Sequence, residues 1–73
     1  MVHQTPQPLT DFERKLLIIM QHTEREQRTP TMRELVAWTG KSPTTIRNVT
    51  KDLVRRQWLR LQDGRIFVTQ KRF

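Results

Sequence analysis

Hydrophobic residues follow two different periods along the chain, helical up to about residue 56 and alternating after it. In the first stretch Phe12, Leu16, Ile19, Met20 and Thr23 fall on one helical stripe. Thr10 and Glu13 stand three apart just before it, the spacing at which each side chain caps the other's backbone N–H, with Leu9 as the outer half of a hydrophobic staple. A helix is therefore predicted from Asp11 to about Glu26. Leu17 and Ile18 fall off the stripe on opposite sides. They are expected to widen the apolar surface, one toward the hairpin described below and the other toward a second subunit.

Thr31 and Glu34 repeat the capping spacing, and Met32, Leu35, Val36 and Thr39 share a face behind them. Gly40 closes this short helix, because a glycine accepts the left-handed conformation of a helix C-terminus. Ser42 and Pro43 then open a third helix. Serine caps, and proline suits the first helical position, where its missing N–H would have had no partner. Ile46, Val49, Leu53 and Val54 form its apolar side. At 100° per residue the opposite side carries Thr44, Asn48, Lys51 and Arg55, with Arg47 on the flank. So short a link between helices two and three forces a sharp turn, the pattern of a helix-turn-helix.

Past Gln57 the period becomes two. Trp58 to Gln62 and Arg65 to Thr69 read as strands joined by Asp63-Gly64, a strong two-residue hairpin turn. That loop sets Gln62 against Arg65, Leu61 against Ile66 and Leu59 against Val68. Leu59, Leu61, Ile66 and Val68 are expected to cover the helices, with Arg60 and Phe67 on the far side. Trp58 is expected to clamp the helix-to-strand junction, and Trp38 to be half buried. The fold class is mainly α with a small β-hairpin, a winged helix-turn-helix in the order helix-helix-helix-strand-strand. One such domain is expected over residues 9–70, after an arm at 1–8 and before a basic tail at 71–73.

Charge sharpens this picture. The 73 residues carry a formal net charge of +7. Residues 1–40 hold five bases and five acids, while residues 41–73 hold nine bases against two acids. The whole excess therefore lies in the second part of the chain, which holds the third helix and the hairpin, a field suited to a polyanion. There is no cysteine, and the two histidines, His3 and His22, are far apart. No metal centre, Ser-His-acid set or phosphate-cradling glycine loop is evident, so a non-enzyme without a cofactor is expected. The longest apolar run, Leu16 to Met20, is far short of a membrane span, and a cytoplasmic location is expected.

The major groove of B-form DNA admits an α-helix, whereas the deep groove of duplex RNA does not. The first turns of the third helix are the expected base readers: Thr44, Thr45, Arg47 and Asn48. Arginine can grip guanine and asparagine adenine, each with two hydrogen bonds. Lys41, Ser42, Lys51, Arg55 and Arg56 are expected at phosphates, and Arg60 and Arg65 on a wing that meets the backbone or the minor groove. The expected partner is double-stranded DNA, with a homodimer possible. A protein-binding winged helix docked on a host polymerase or replication factor, and an accessory role in recombination or replication, are alternatives with the same pattern.

Several segments resemble the N-terminal DNA-binding domain of LexA-type repressors. They are Leu9-Thr10, the stretch Thr29 to Val36, Thr39 to Pro43, and Lys51 to Leu59. The resemblance implies three helices followed by a β-wing, and dimeric binding to palindromic operators. It also implies that Ser42, Thr44, Thr45, Arg47 and Asn48 occupy the base-reading part of the recognition helix. Residues between Pro43 and Val49 depart from that family's polar and acidic run, so its operator sequence does not carry over.

Overall fold

A computed structural model describes residues 9–70; the expected arm at 1–8 and tail at 71–73 lie outside the described residues. The elements are α1 (Asp11–Arg25), α2 (Met32–Thr39), α3 (Pro43–Arg55), β1 (Leu59–Gln62) and β2 (Arg65–Val68). This is the expected order, a mainly helical winged helix-turn-helix topology.

Local chemistry sets the helix ends. Thr10 Oγ1 accepts the Glu13 N–H at 3.0 Å while the Glu13 carboxylate accepts the Thr10 N–H at 2.9 Å. Thr31 and Glu34 make the same reciprocal pair at 3.1 and 2.9 Å. Such a cap is worth about 1 kcal/mol. Gly40 ends α2 at φ +74°, its N–H donating to the Val36 carbonyl at 2.9 Å. The ends of α1 and α3 are less legible in the sequence. Each stops in a six-residue closure with glutamine, not glycine, in the left-handed position: Gln27 at φ +60° and Gln57 at φ +67°. Arg28 N–H then reaches back to the Thr23 carbonyl at 3.0 Å, and Trp58 N–H to that of Leu53 at 2.9 Å.

The hairpin has the expected register, Leu59 with Val68, Arg60 with Phe67, Leu61 with Ile66 and Gln62 with Arg65. Asp63 and Gly64 both take positive φ, +52° and +76°, as a type I′ turn demands. A lone hairpin is marginal, and this one is anchored at its base. Val68 N–H points off the sheet and donates to Glu24 of α1 at 3.0 Å. Thr69 closes the pair of strands with a bond from its N–H to the Trp58 carbonyl and another from its hydroxyl to the Gln57 carbonyl.

Leu16, Leu17, Met20, Leu35, Ile46, Leu53, Leu59 and Val68 form one buried core, with Phe12, Ile19, Val49, Val54 and Ile66 packed around it. Truncating such a leucine to alanine costs about 2–5 kcal/mol, a large share of the stability of a small domain. Three placements refine the expectations. Leu17 is fully buried, because β2 packs along that side of α1. Ile18, on the other side, is exposed. Leu61 does not cover the helices and is 60% exposed. Only the base pair Leu59–Val68 reaches the core from both strands. Two pairs nearer the tip, β2 still meets the helices through Ile66, whereas Leu61 of β1 is exposed.

Candidate nucleic-acid interface

The outward side of α3 is built by exclusion. Ile46 and Leu53 are drawn fully into the core, which fixes the helix's rotation about its axis. Thr44, Thr45, Arg47, Asn48, Lys51 and Arg55 are then all exposed. Ser42 caps the helix, its Oγ accepting the Thr45 N–H at 3.2 Å and donating to Thr45 Oγ1 at 3.1 Å. The Thr45 hydroxyl is therefore partly engaged with the cap. No acid occupies the first turn. Asp52, the helix's only carboxylate, is turned toward Arg56 at 3.0 Å and lies 3.7 Å from Arg55. Arg47 and Lys51 have no carboxylate partner among the described residues, so their charge faces solvent unneutralised.

Lys41, in the turn before α3, is exposed and held with its Nζ 5.5 Å above the Phe12 ring. On the hairpin the far face carries Phe67 between two guanidinium groups, Arg60 at 5.4 Å and Arg65 at 5.1 Å from its centroid. Each contact contributes about 0.5–1 kcal/mol at an exposed site and limits the conformations the arginine must give up on meeting a partner. Arg65 is half buried, and its Nε is enclosed without a hydrogen-bond partner among the described residues. This platform was latent in the sequence. The Asp63-Gly64 turn dictates that Arg60 pairs with Phe67, and residues 65 and 67 share a face.

Arg56 stands apart from the other expected contact residues. Its side chain is 22% exposed, and its guanidinium lies 2.9 Å from Glu13 and 3.0 Å from Asp52, tying the start of α1 to the end of α3. The hydrogen bond to Asp52, reinforced by Glu13, raises its pKa further above the ordinary arginine value. Sequence spacing exposes the Asp52 partner, four residues away on one helix, but not Glu13, which is remote in the chain. A second such tie joins Arg28 to Glu34 at 2.8 Å and to Glu26 at 2.9 Å. The Thr31 N–H, and then Arg28, hold the Glu34 carboxyl below its usual pKa.

Along the flank of α3, Arg47, Thr50 and Lys51 join Met20, Met32, Leu35, Ile46 and Ile66 in lining a cleft of about 210 Å³. No group of three or more His, Cys, Asp or Glu residues able to hold a metal ion occurs among the described residues. Among them, too, no helix is long and apolar enough to cross a membrane.

Three helices with a glycine turn between the second and third, followed by a hairpin packed back on the first, define a winged helix-turn-helix domain, a class used for DNA or protein binding. No protein-family model, curated protein or solved structure matches the chain.

Proposed function

We propose that the protein is a sequence-specific binder of double-stranded DNA that regulates transcription, with α3 as the reading helix and the β1–β2 hairpin as the wing. The observation that carries this reading is the outward side of α3: exposed hydroxyl, amide and cationic side chains, and two cations with no carboxylate among the described residues to neutralise them. An anionic surface with hydrogen-bonding edges is the natural complement.

In this reading Arg47 and Asn48 address base edges, and Thr44 and Thr45 offer methyl and hydroxyl contacts beside them. Lys41, Ser42, Lys51 and Arg55 meet phosphates, which sets position and affinity but little sequence preference. Arg60 and Arg65, braced on Phe67, meet the backbone or a narrow minor groove. Arg56 holds α1 to α3 and positions the reading helix without touching the duplex. The motif resemblance to LexA-type domains makes repression the mode we propose, with two copies meeting the two half-sites of a palindrome.

The test is selection of bound duplexes from a random pool, followed by titration of the enriched and a scrambled duplex at two salt concentrations. An enriched site with two-fold symmetry is expected. Lys51→Ala should weaken both duplexes alike and reduce the salt slope by about 1. Failure of the wild-type protein to bind any duplex at low salt overturns the DNA reading and leaves docking on a protein partner as the function of the domain.

A further inference from the structure

The cleft on the flank of α3 combines two features. Its floor is apolar and belongs to the core: Met20, Leu35 and Ile46 are almost wholly buried, and Met32 and Ile66 close the sides. Its lining also includes Arg47 and Lys51, one helical turn apart, and Thr50. Neither cation has a carboxylate partner among the described residues, in contrast to Arg28 and Arg56, which each have two.

We infer that this cleft binds a small amphipathic carboxylate, its hydrocarbon body on the methionine-lined floor and its carboxylate between Arg47 and Lys51. Charge complementarity selects the head group. A carboxylate loses too much hydration to enter an apolar site unpaired, and a guanidinium supplies two parallel hydrogen bonds to one. The floor selects the body. An inorganic anion gains nothing from it, and a neutral alkane leaves the cations unused. Size sets the limit. At about 210 Å³ the cleft is smaller than the roughly 300–1,000 Å³ of pockets for drug-sized ligands, so a short or medium aliphatic chain fits better than a ring system. Met20 and Met32 can adjust to such a chain, because an unbranched thioether repacks readily.

The consequence for DNA rests on the function proposed above. Arg47 and Lys51 cannot turn to a carboxylate in the cleft and to a duplex at once. The ligand and DNA therefore oppose each other, and by reciprocity each lowers the affinity of the other by the same factor.

The binding site is tested on the free protein labelled with ¹³C at the methionine methyl groups, using octanoate as the probe and octanol as the uncharged control. Octanoate should shift the Met20 and Met32 signals saturably, and octanol should bind at least about tenfold more weakly. Arg47→Gln and Lys51→Gln should each weaken octanoate about tenfold, the loss of one hydrogen bond to a charged group. Met32→Trp, which fills the cleft and leaves both cations in place, should abolish the shift of Met20 while circular dichroism stays unchanged. The inference is overturned if the methionine signals do not respond, if octanol binds as tightly as octanoate, or if both charge variants bind like the wild type. A duplex titration with and without octanoate separates the two proposals. A protein that binds octanoate but no duplex keeps the cleft and loses the DNA reading. One that binds duplex while its methionines ignore octanoate keeps the DNA reading and loses the cleft.

Discussion

Arg55 and Arg56 are neighbours in the chain and opposites in the fold. Both lie within reach of Asp52. Arg56 faces inward, 22% exposed, and bridges Asp52 to Glu13 across two helices. Arg55 faces outward, 77% exposed, and lies 3.7 Å from Asp52 on a solvated surface. One step along a helix rotates a side chain by about 100°, and here that step separates a cation used to assemble the domain from one left in solvent. The difference extends to the rest of the molecule. Arg28 belongs with Arg56, bound by Glu26 and Glu34. Arg47 and Lys51 belong with Arg55. Composition counts all of them equally, but only the second group adds to the field that an approaching polyanion meets.

The contrast can be broken most directly at Arg56. Arg56→Ala leaves Glu13, whose side chain is 14% exposed, without its cation. It should lower unfolding free energy by about 2 kcal/mol, the cost of orphaning a partly buried charged group. Urea denaturation measures this, and Arg55→Ala is its control, expected to change stability by less than about 0.5 kcal/mol. Equal losses from the two variants would erase the distinction.

Arg47→Ala tests the outward group. It should leave the urea midpoint in place and reduce affinity for the selected duplex by about 1.5 kcal/mol, or roughly tenfold, with a smaller loss on a scrambled duplex. A matching loss on both duplexes would make Arg47 a phosphate contact and remove it from the base readers.

Acid sharpens the contrast for the paired group. The Thr31 N–H and Arg28 hold the Glu34 carboxyl below the ordinary glutamate value. A carboxyl depressed in the native state contributes stability that is complete above its unfolded pKa and lost as pH falls through the lower native value. The wild type should therefore lose more stability than Glu34→Gln on going from about pH 5 to pH 3. Urea midpoints at the two pH values give the comparison, and parallel losses in the two proteins would deny Glu34 this role.

The smallest expected effect concerns the joint that turns the chain from Arg55 and Arg56 into the hairpin. Gln57 adopts φ +67°, a conformation that costs a residue with a Cβ about 1 kcal/mol or more. Gln57→Gly relieves that cost and gives back part of it through greater freedom in the unfolded chain. A net gain of up to about 1 kcal/mol in thermal or urea unfolding is expected, and a loss would show that the Gln57 side chain supports the joint.

Much of the fold could be read from local features because its signals act over few residues. The capping pairs at Thr10 and Thr31, the glycine after Thr39, the proline after Ser42 and the Asp63-Gly64 turn each involve neighbours in the chain. They set the element boundaries and the strand register. The exposed side of α3 was legible for the same reason, since a helix of known period with one apolar stripe has a defined opposite side. Leu17 and Leu61 were less so. Periodicity says which residues can share a face, but what covers that face depends on where a distant element comes to rest.

The amino-acid sequence by itself determined the order of elements, the hairpin register, the basic bias of the second part of the chain and the side of α3 that faces outward. Tertiary structure alone decided that Glu13 binds Arg56, that Glu24 takes the Val68 N–H, that Leu61 stays in solvent, and that Arg47 and Lys51 rim an apolar cleft. The division follows from range. Caps, turns and helical period are settled within a few residues, whereas a contact between remote residues exists only once the whole core has fixed how the elements pack.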